Sequence, residues 1–247
     1  MKSGNRTAEF PPQRYARIAG ILYLVIILAG IFGEALVRGK LIVSGDASAT
    51  ANNILTSQLL WRIGISADLL MHVCDIPVML ILYVLLKPVN KNLALLNLLF
   101  NLVQTAVLAA NKLNLLMSLF LLGNADYLKA VDSQQLHSLS YLFIKLHDYG
   151  FGVGLIFFGF VCMIEGYLIF KSGYFPKPIG IMMQIAGVCY LVNSFSLILA
   201  PLFATMLFPV ILIPSFVAEL SLCLWLIIKG VNLTKWEQRL NANRNVV

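Results

Sequence analysis

The sequence predicts an all-α fold: a polytopic membrane protein built as a six-transmembrane-helix bundle, with both termini cytoplasmic and short extracytoplasmic helices. Three observations carry that expectation. Of 247 residues, 60% are hydrophobic and only 12% charged, where soluble domains carry about 25% charge. The apolar residues gather in blocks of about 20 or more, the length that crosses roughly 30 Å of hydrocarbon. Lys and Arg are also unequally shared between alternate links, as the positive-inside rule requires.

The predicted spans are 17–37, 62–86, 93–116, 141–170, 179–199 and 206–228. Arg14 and Arg17 precede the first in the manner of a secretory signal. Its apolar block is too long for a signal core and no small-x-small cleavage site follows, so it reads as a retained helix. In the next link Asp46 is placed to N-cap a short surface helix over 47–57. The second span contains Pro77, which removes a backbone donor and favours a kink. Before the fourth span, Asp132 followed by Gln135 resembles a capping box. No proline interrupts the residues from there to Phe170, a helix of about 57 Å at 1.5 Å per residue. Such a helix must project beyond the bilayer, bend near its glycines, or begin as a separate surface helix. Gly150 and Gly154 in it have the GxxxG spacing of close helix approach. Polar tails over 1–13 and 231–247, expected to fray, flank a single membrane domain over 14–230. No internal repeat is visible.

With both termini inside, twelve of the eighteen basic residues face the cytoplasm. Five (Arg38, Lys40, Arg62, Lys129 and Lys145) lie outside, and Lys112 falls within a span. This distribution accounts for the net charge of +7 through topology and contact with anionic headgroups. The lipid bilayer is therefore the expected partner, and nucleic acid is not, because no reader motif accompanies the charge. Cys74, Cys162, Cys189 and Cys223 fall one to a span without a CxxC pair and read as small packing residues.

Polar residues inside the spans mark the candidate site. Asp68, His72 and Asp75 are spaced i, i+4, i+7 and share one helical stripe. A central intramembrane Asp costs roughly 2.5–3.5 kcal/mol on insertion scales, so the stripe should face protein or a watery cavity. Asn97, Asn101 and Gln104 repeat the spacing on the third span and suit interhelical hydrogen bonds. His147 and Asp148 on the fourth span are adjacent, about 100° apart, so both need not face one cavity. Glu219 sits mid-way along the sixth span, where it is expected to be protonated or to pair with His72 or Lys112. Glu165 and Glu34 are expected to be hydrated at the interfaces. His72, His147 and Asp68 supply ligand types suited to a divalent metal such as zinc, although no HExxH is present and no cofactor is identified. Together these residues imply an outward-facing polar cavity made mainly by the second, third and fourth helices.

Several segments resemble a known family: DASATANNI at 46–54, WRIGI at 61–65, LYVLLKPV at 82–89, LHDYGFGVGLIFFG at 146–159 and KSGYFPKPIG at 171–180. The chain is similar, over roughly 14–230, to the domain of unknown function 4386 family of bacterial multi-pass membrane proteins. The resemblance implies a multi-pass bacterial inner-membrane protein and transfers no catalytic residue. The family pattern has a basic residue near Asn101, so an ion pair at that point is not expected here. Three functional readings follow. The leading one is binding or translocation of a small polar solute, ion or lipid headgroup. The others are a structural, accessory or sensing role, and a metal-dependent intramembrane hydrolase.

Overall fold

The computed structural model describes residues 11–123 and 125–244. In chain order they form α1 (Pro12–Leu41), α2 (Ala47–Thr56), α3 (Gln58–Leu86), α4 (Lys91–Leu121), α5 (Ser133–Ser172), α6 (Lys177–Leu199), α7 (Pro201–Leu207), α8 (Val210–Ile228) and α9 (Leu233–Arg244). No strand occurs among the described residues. Six helices (α1, α3, α4, α5, α6 and α8) are long and apolar enough to cross a membrane. They match the six predicted spans to within a few residues at most ends.

Local chemistry sets the boundaries. Asp46 caps α2 through the Ala49 amide at 2.8 Å, and Asn90 caps α4 through Leu93 at 3.0 Å. Asp132 accepts from Gln134 and Gln135 at the start of α5. That helix then runs 40 residues without a break to Gly173, whose φ of +76° ends it because a left-handed residue at this position is easiest for glycine. At 1.5 Å per residue α5 is about 60 Å long, so of the three expected solutions the chain uses a single projecting helix. Its projecting end is braced: Tyr141 Oη accepts from the Gly45 amide at 2.8 Å, beside α2. α3 likewise continues through Pro77.

The links, short or long, turn the chain back, so each span runs antiparallel to the next and packs on its chain neighbours. α8 then returns to α1 and α6, so the six spans close into a ring. The α5–α6 contact is the most extensive, and glycine explains why. Gly166 faces Gly180 and Gly159 faces Gly187, seven residues apart on each helix. A Cβ on Gly166 would lie 2.5 Å from the Gly180 carbonyl oxygen, so these backbones touch.

The ring's outer surface is apolar, with Ile21, Leu28, Leu80, Leu99 and Val188 exposed, as a lipid-facing surface should be. Inside, one apolar cluster including Leu85, Leu168, Met183 and Leu226 fills the end where the chain begins and finishes. A second, around Ile54, Trp61, Leu115 and Ile144, fills the opposite end. Residues 1–10 of the predicted N-terminal tail, and 245–247 of the C-terminal one, lie outside the described residues. The expectation that the C-terminal tail frays is corrected by α9. Trp236 buries its ring and donates its indole N–H to the Leu85 carbonyl at 3.2 Å. Tyr174 donates to the same oxygen at 2.7 Å, an acceptor that the end of α3 leaves without a helical partner.

Candidate functional site

The polar interior lies between the two apolar clusters and divides into two layers. The first is an ion network farther from the chain's ends. Asp68 on α3 is fully buried and accepts from Arg38 of α1, at 2.6 Å from Nη1 and 3.3 Å from Nη2. Lys112 of α4 approaches the same carboxylate at 3.0 Å. The Lys112 ammonium also stands 3.2 Å from Nε2 of His147 on α5. Asn111 donates to the His147 carbonyl at 2.8 Å. Four spans are thus tied at one level. Arg38 also holds Glu34 at 2.8 Å, but that carboxylate is two-thirds exposed, as expected for an interfacial Glu.

Backbone features make this layer possible. Residues Phe32–Arg38 form a π-helical turn, with the Gly39 amide bonded to the Glu34 carbonyl five residues back. The wider turn alters the direction of the side chains that follow it. Gly33 supplies the space, since a Cβ there would collide with Asp68 Oδ1. Arg38 was expected in an external link and is instead buried. An interfacial arginine and one turned inward look alike in sequence, although the i, i+4 pair with Glu34 was a legible hint.

The second layer is a cavity of about 160 Å³ at the centre of the ring. All six spans line it: Tyr23 of α1, His72 and Asp75 of α3, Asn101 and Gln104 of α4, Glu165 of α5, Tyr190 of α6 and Glu219 of α8. This corrects the expected cavity of three helices, because ring closure brings α1, α6 and α8 to the same centre. Thr105 donates to Asp75, and Tyr190 donates to Glu219. Glu219 therefore does not pair with His72 or Lys112; Lys112 is held by Asp68, and the Tyr190 phenol reaches Glu219 instead. Glu165 is also corrected. It is 4% exposed rather than hydrated, because Asn97 and the α8 carboxylate flank it inside the ring. Among the described residues, His72 Nε2, Asn101 Oδ1 and Glu165 Oε1, all from lining residues, are buried without a hydrogen-bond partner, as is Oδ1 of Asn97 beside Glu165.

The Asp68/His72/Asp75 stripe does face inward, but the structure divides it. Asp68 joins the ion network, while His72 and Asp75 face the cavity. Asp148 sits at the edge of the ion layer: it is half-exposed, pairs with Lys145 at 3.2 Å and stands 3.8 Å from Nδ1 of His147. No three His, Cys, Asp or Glu side chains are grouped as a metal site among the described residues. Between Asp68 and His147 the Lys112 ammonium already occupies the position that a bridging ion would take. All four cysteines are free thiols.

The family model described as "Domain of unknown function (DUF4386)" matches residues 18–230. The chain belongs to this family. The match takes in both polar layers and all six spans, from within α1 to just past α8. A protein of Archaeoglobus fulgidus described as uncharacterized is 30% identical over 167 residues, covering 67% of this chain and 83% of that protein. That relative is archaeal, so the likeness does not specify a bacterial inner membrane. No solved structure matches the chain. Within this DUF4386 chain, sequence reasoning missed Arg38, Tyr23, Thr105 and Tyr190 as members of the polar interior. The last three are ordinary membrane-helix residues until ring closure sets them beside a carboxylate.

Proposed function

We propose that this chain is a multi-pass protein of the cell (inner) membrane that binds a small polar solute in the lumen of its helix ring, with both termini cytoplasmic. The observation that carries the reading is the set of partnerless polar atoms of His72, Asn101 and Glu165, buried yet facing a cavity of about 160 Å³. A buried polar group left unpaired costs about 1–3 kcal/mol. An occupant that hydrogen-bonds these atoms recovers much of that cost. An accessory protein needs no such arrangement, since a dry bundle with every polar group paired would serve it better. A metal-dependent hydrolase needs His72 and His147 to converge, but His147 is engaged with Lys112. Translocation is the stronger form of the reading. It requires the Arg38–Asp68–Lys112 layer to open, because that layer lies one helical turn from His72.

The test is protection by ligand. Purified protein in nanodiscs is heated with small polar solutes that are cationic, neutral and anionic in turn. At least one class is expected to raise the melting temperature saturably, since ligand at 100 times its Kd adds about 2.7 kcal/mol of stability. Leu155→Trp, which fills the lumen, should abolish the rise while circular dichroism stays helical. Absence of protection by any class, or full protection in Leu155→Trp, would reject the reading.

A further inference from the structure

The lumen wall is chemically one-sided. Three carboxyl groups reach it from three spans: Asp75, Glu165 and Glu219. Among the described residues, no Lys or Arg lines it. Arg38 and Lys112 are held by Asp68 in the neighbouring layer. The wall is also aromatic, with Tyr23, Phe151, Phe158 and Tyr190 contributing rings. Phe158 and Tyr190 lie 5.3 Å apart between centroids, tilted by 55°. Building on the reading of the lumen as a solute site, we propose that its solute is a small organic cation, an ammonium compound.

Each competing class meets an obstacle. An anion would face three carboxyl groups and find no cation in the wall. A neutral solute would require all three carboxyls to stay protonated, because carboxylates buried within spans are expensive unless paired. A bare calcium ion wants six to eight oxygen ligands, whereas Val78, Leu82, Leu108 and Leu155 make much of this wall aliphatic. Zinc wants a cluster of His, Cys, Asp or Glu side chains, and no three of these are grouped as a metal site among the described residues. Aromatic faces and carboxylates together suit an ammonium group, which the rings attract through their quadrupoles. Size agrees: about 160 Å³ is roughly the volume of five waters. Position within the lumen follows from charge. Arg38 and Lys112 are balanced by Asp68 and Glu34, so the carboxyl groups of Glu165 and Glu219, rather than a net charge in that network, set the place of a cation. Among the lumen's carboxyl groups, Glu165 is the one with a buried oxygen lacking a hydrogen-bond partner among the described residues.

Calorimetric titration of the full chain in nanodiscs tests this with choline, with ethanolamine, with acetate, and with the uncharged alcohol in which carbon replaces choline's nitrogen. At least one of the two amines is expected to bind about ten-fold or more tighter than the alcohol, with acetate undetected. Glu165→Gln and Glu219→Gln should each weaken amine binding by about ten-fold, while Asp126→Asn, an exposed carboxylate outside the ring, should leave it unchanged. The wild-type comparison needs no substitution, so a poorly folding variant does not decide the outcome. Equal binding of alcohol and amines, blocked by Leu155→Trp, would overturn the cationic assignment and leave the solute site standing. Preference for acetate would do the same. Heat from none of the four, joined to no thermal protection by any solute, would overturn both.

Discussion

Asp68 and Glu34 grip the same guanidinium and should matter very differently. The Asp68 side chain is 1% exposed and faces two cations, whereas that of Glu34 is 67% exposed and faces one. Removing one partner of a buried ionic group typically costs 3–5 kcal/mol, because the remaining charge is left in low dielectric. Asp68→Asn is therefore expected to destabilise the protein by about that amount, and Glu34→Gln by less than about 1 kcal/mol, both read from denaturant unfolding in detergent. Similar losses in the two variants would reject this account of the ion layer. The residue scale is also where sequence and structure diverge most. Spacing alone revealed that Asp68, His72 and Asp75 face inward, because helical phase is local. Their division between ion network and lumen was hidden, because Arg38, Lys112, Thr105 and Tyr190 reach them from other spans. Glu165 was misread for the same reason: seven residues from the end of α5, it looks interfacial until its neighbours are in place.

At the scale of elements, glycine position decides how closely helices meet. Gly187 on α6 has no room, since a Cβ would fall 2.5 Å from the Gly159 carbonyl and 2.6 Å from Met163 Cγ. Gly30 on α1 has room, its nearest neighbour being Met71 Sδ at 3.4 Å, the far end of a flexible chain. Gly187→Val is expected to separate α5 from α6 at a cost of roughly 1–3 kcal/mol, as overpacking does. Gly30→Ala should be neutral or stabilise by up to about 1 kcal/mol through helix propensity. Melting both variants beside wild type checks the contrast; equal losses would contradict the assigned contact. The helices themselves were legible, since long apolar blocks and the Asp46 and Asp132 caps are properties of contiguous sequence. Their partners were not. Gly150 and Gly154 advertise close approach, yet only the fold shows that they receive Asn111 and Leu108 of α4, while Gly159 and Gly166 serve α6. α9 escaped notice because Leu233, Trp236 and Leu240, although at helical spacing, are few apolar residues in a polar tail, and the apolar cluster that receives Trp236 and Leu240 comes from other helices.

At the scale of the molecule, ring closure fixes one topological fact without reference to any membrane. The start of α1 and the end of α8 meet: Gln13 donates to the Lys229 carbonyl at 2.7 Å and accepts from the Val231 amide at 2.9 Å. Six antiparallel spans require that arrangement, and the same end carries Arg14, Arg17, Lys87, Lys91, Lys171, Lys177 and Lys229. Basic flanks of short loops are retained on the cytoplasmic side, so this end is expected to face the cytoplasm and the long links between α1 and α3 and between α4 and α5 to face outward. Fusions test the orientation directly. Green fluorescent protein after Arg244 should fluoresce and alkaline phosphatase there should be inactive, while phosphatase inserted at Asp126 should be active. The reverse pattern would invert the orientation and leave the ring intact. Orientation in turn gives the two layers their order. With the basic end inside, the Arg38–Asp68–Lys112 network stands between the lumen and the outer surface, and the Leu85–Leu226 cluster stands between the lumen and the cytoplasm. A solute arriving from outside must then pass the buried ions. Weakening them with Lys112→Met should speed solute entry into the lumen in stopped-flow binding, whereas a lumen filled from the cytoplasmic end would show no change in entry rate.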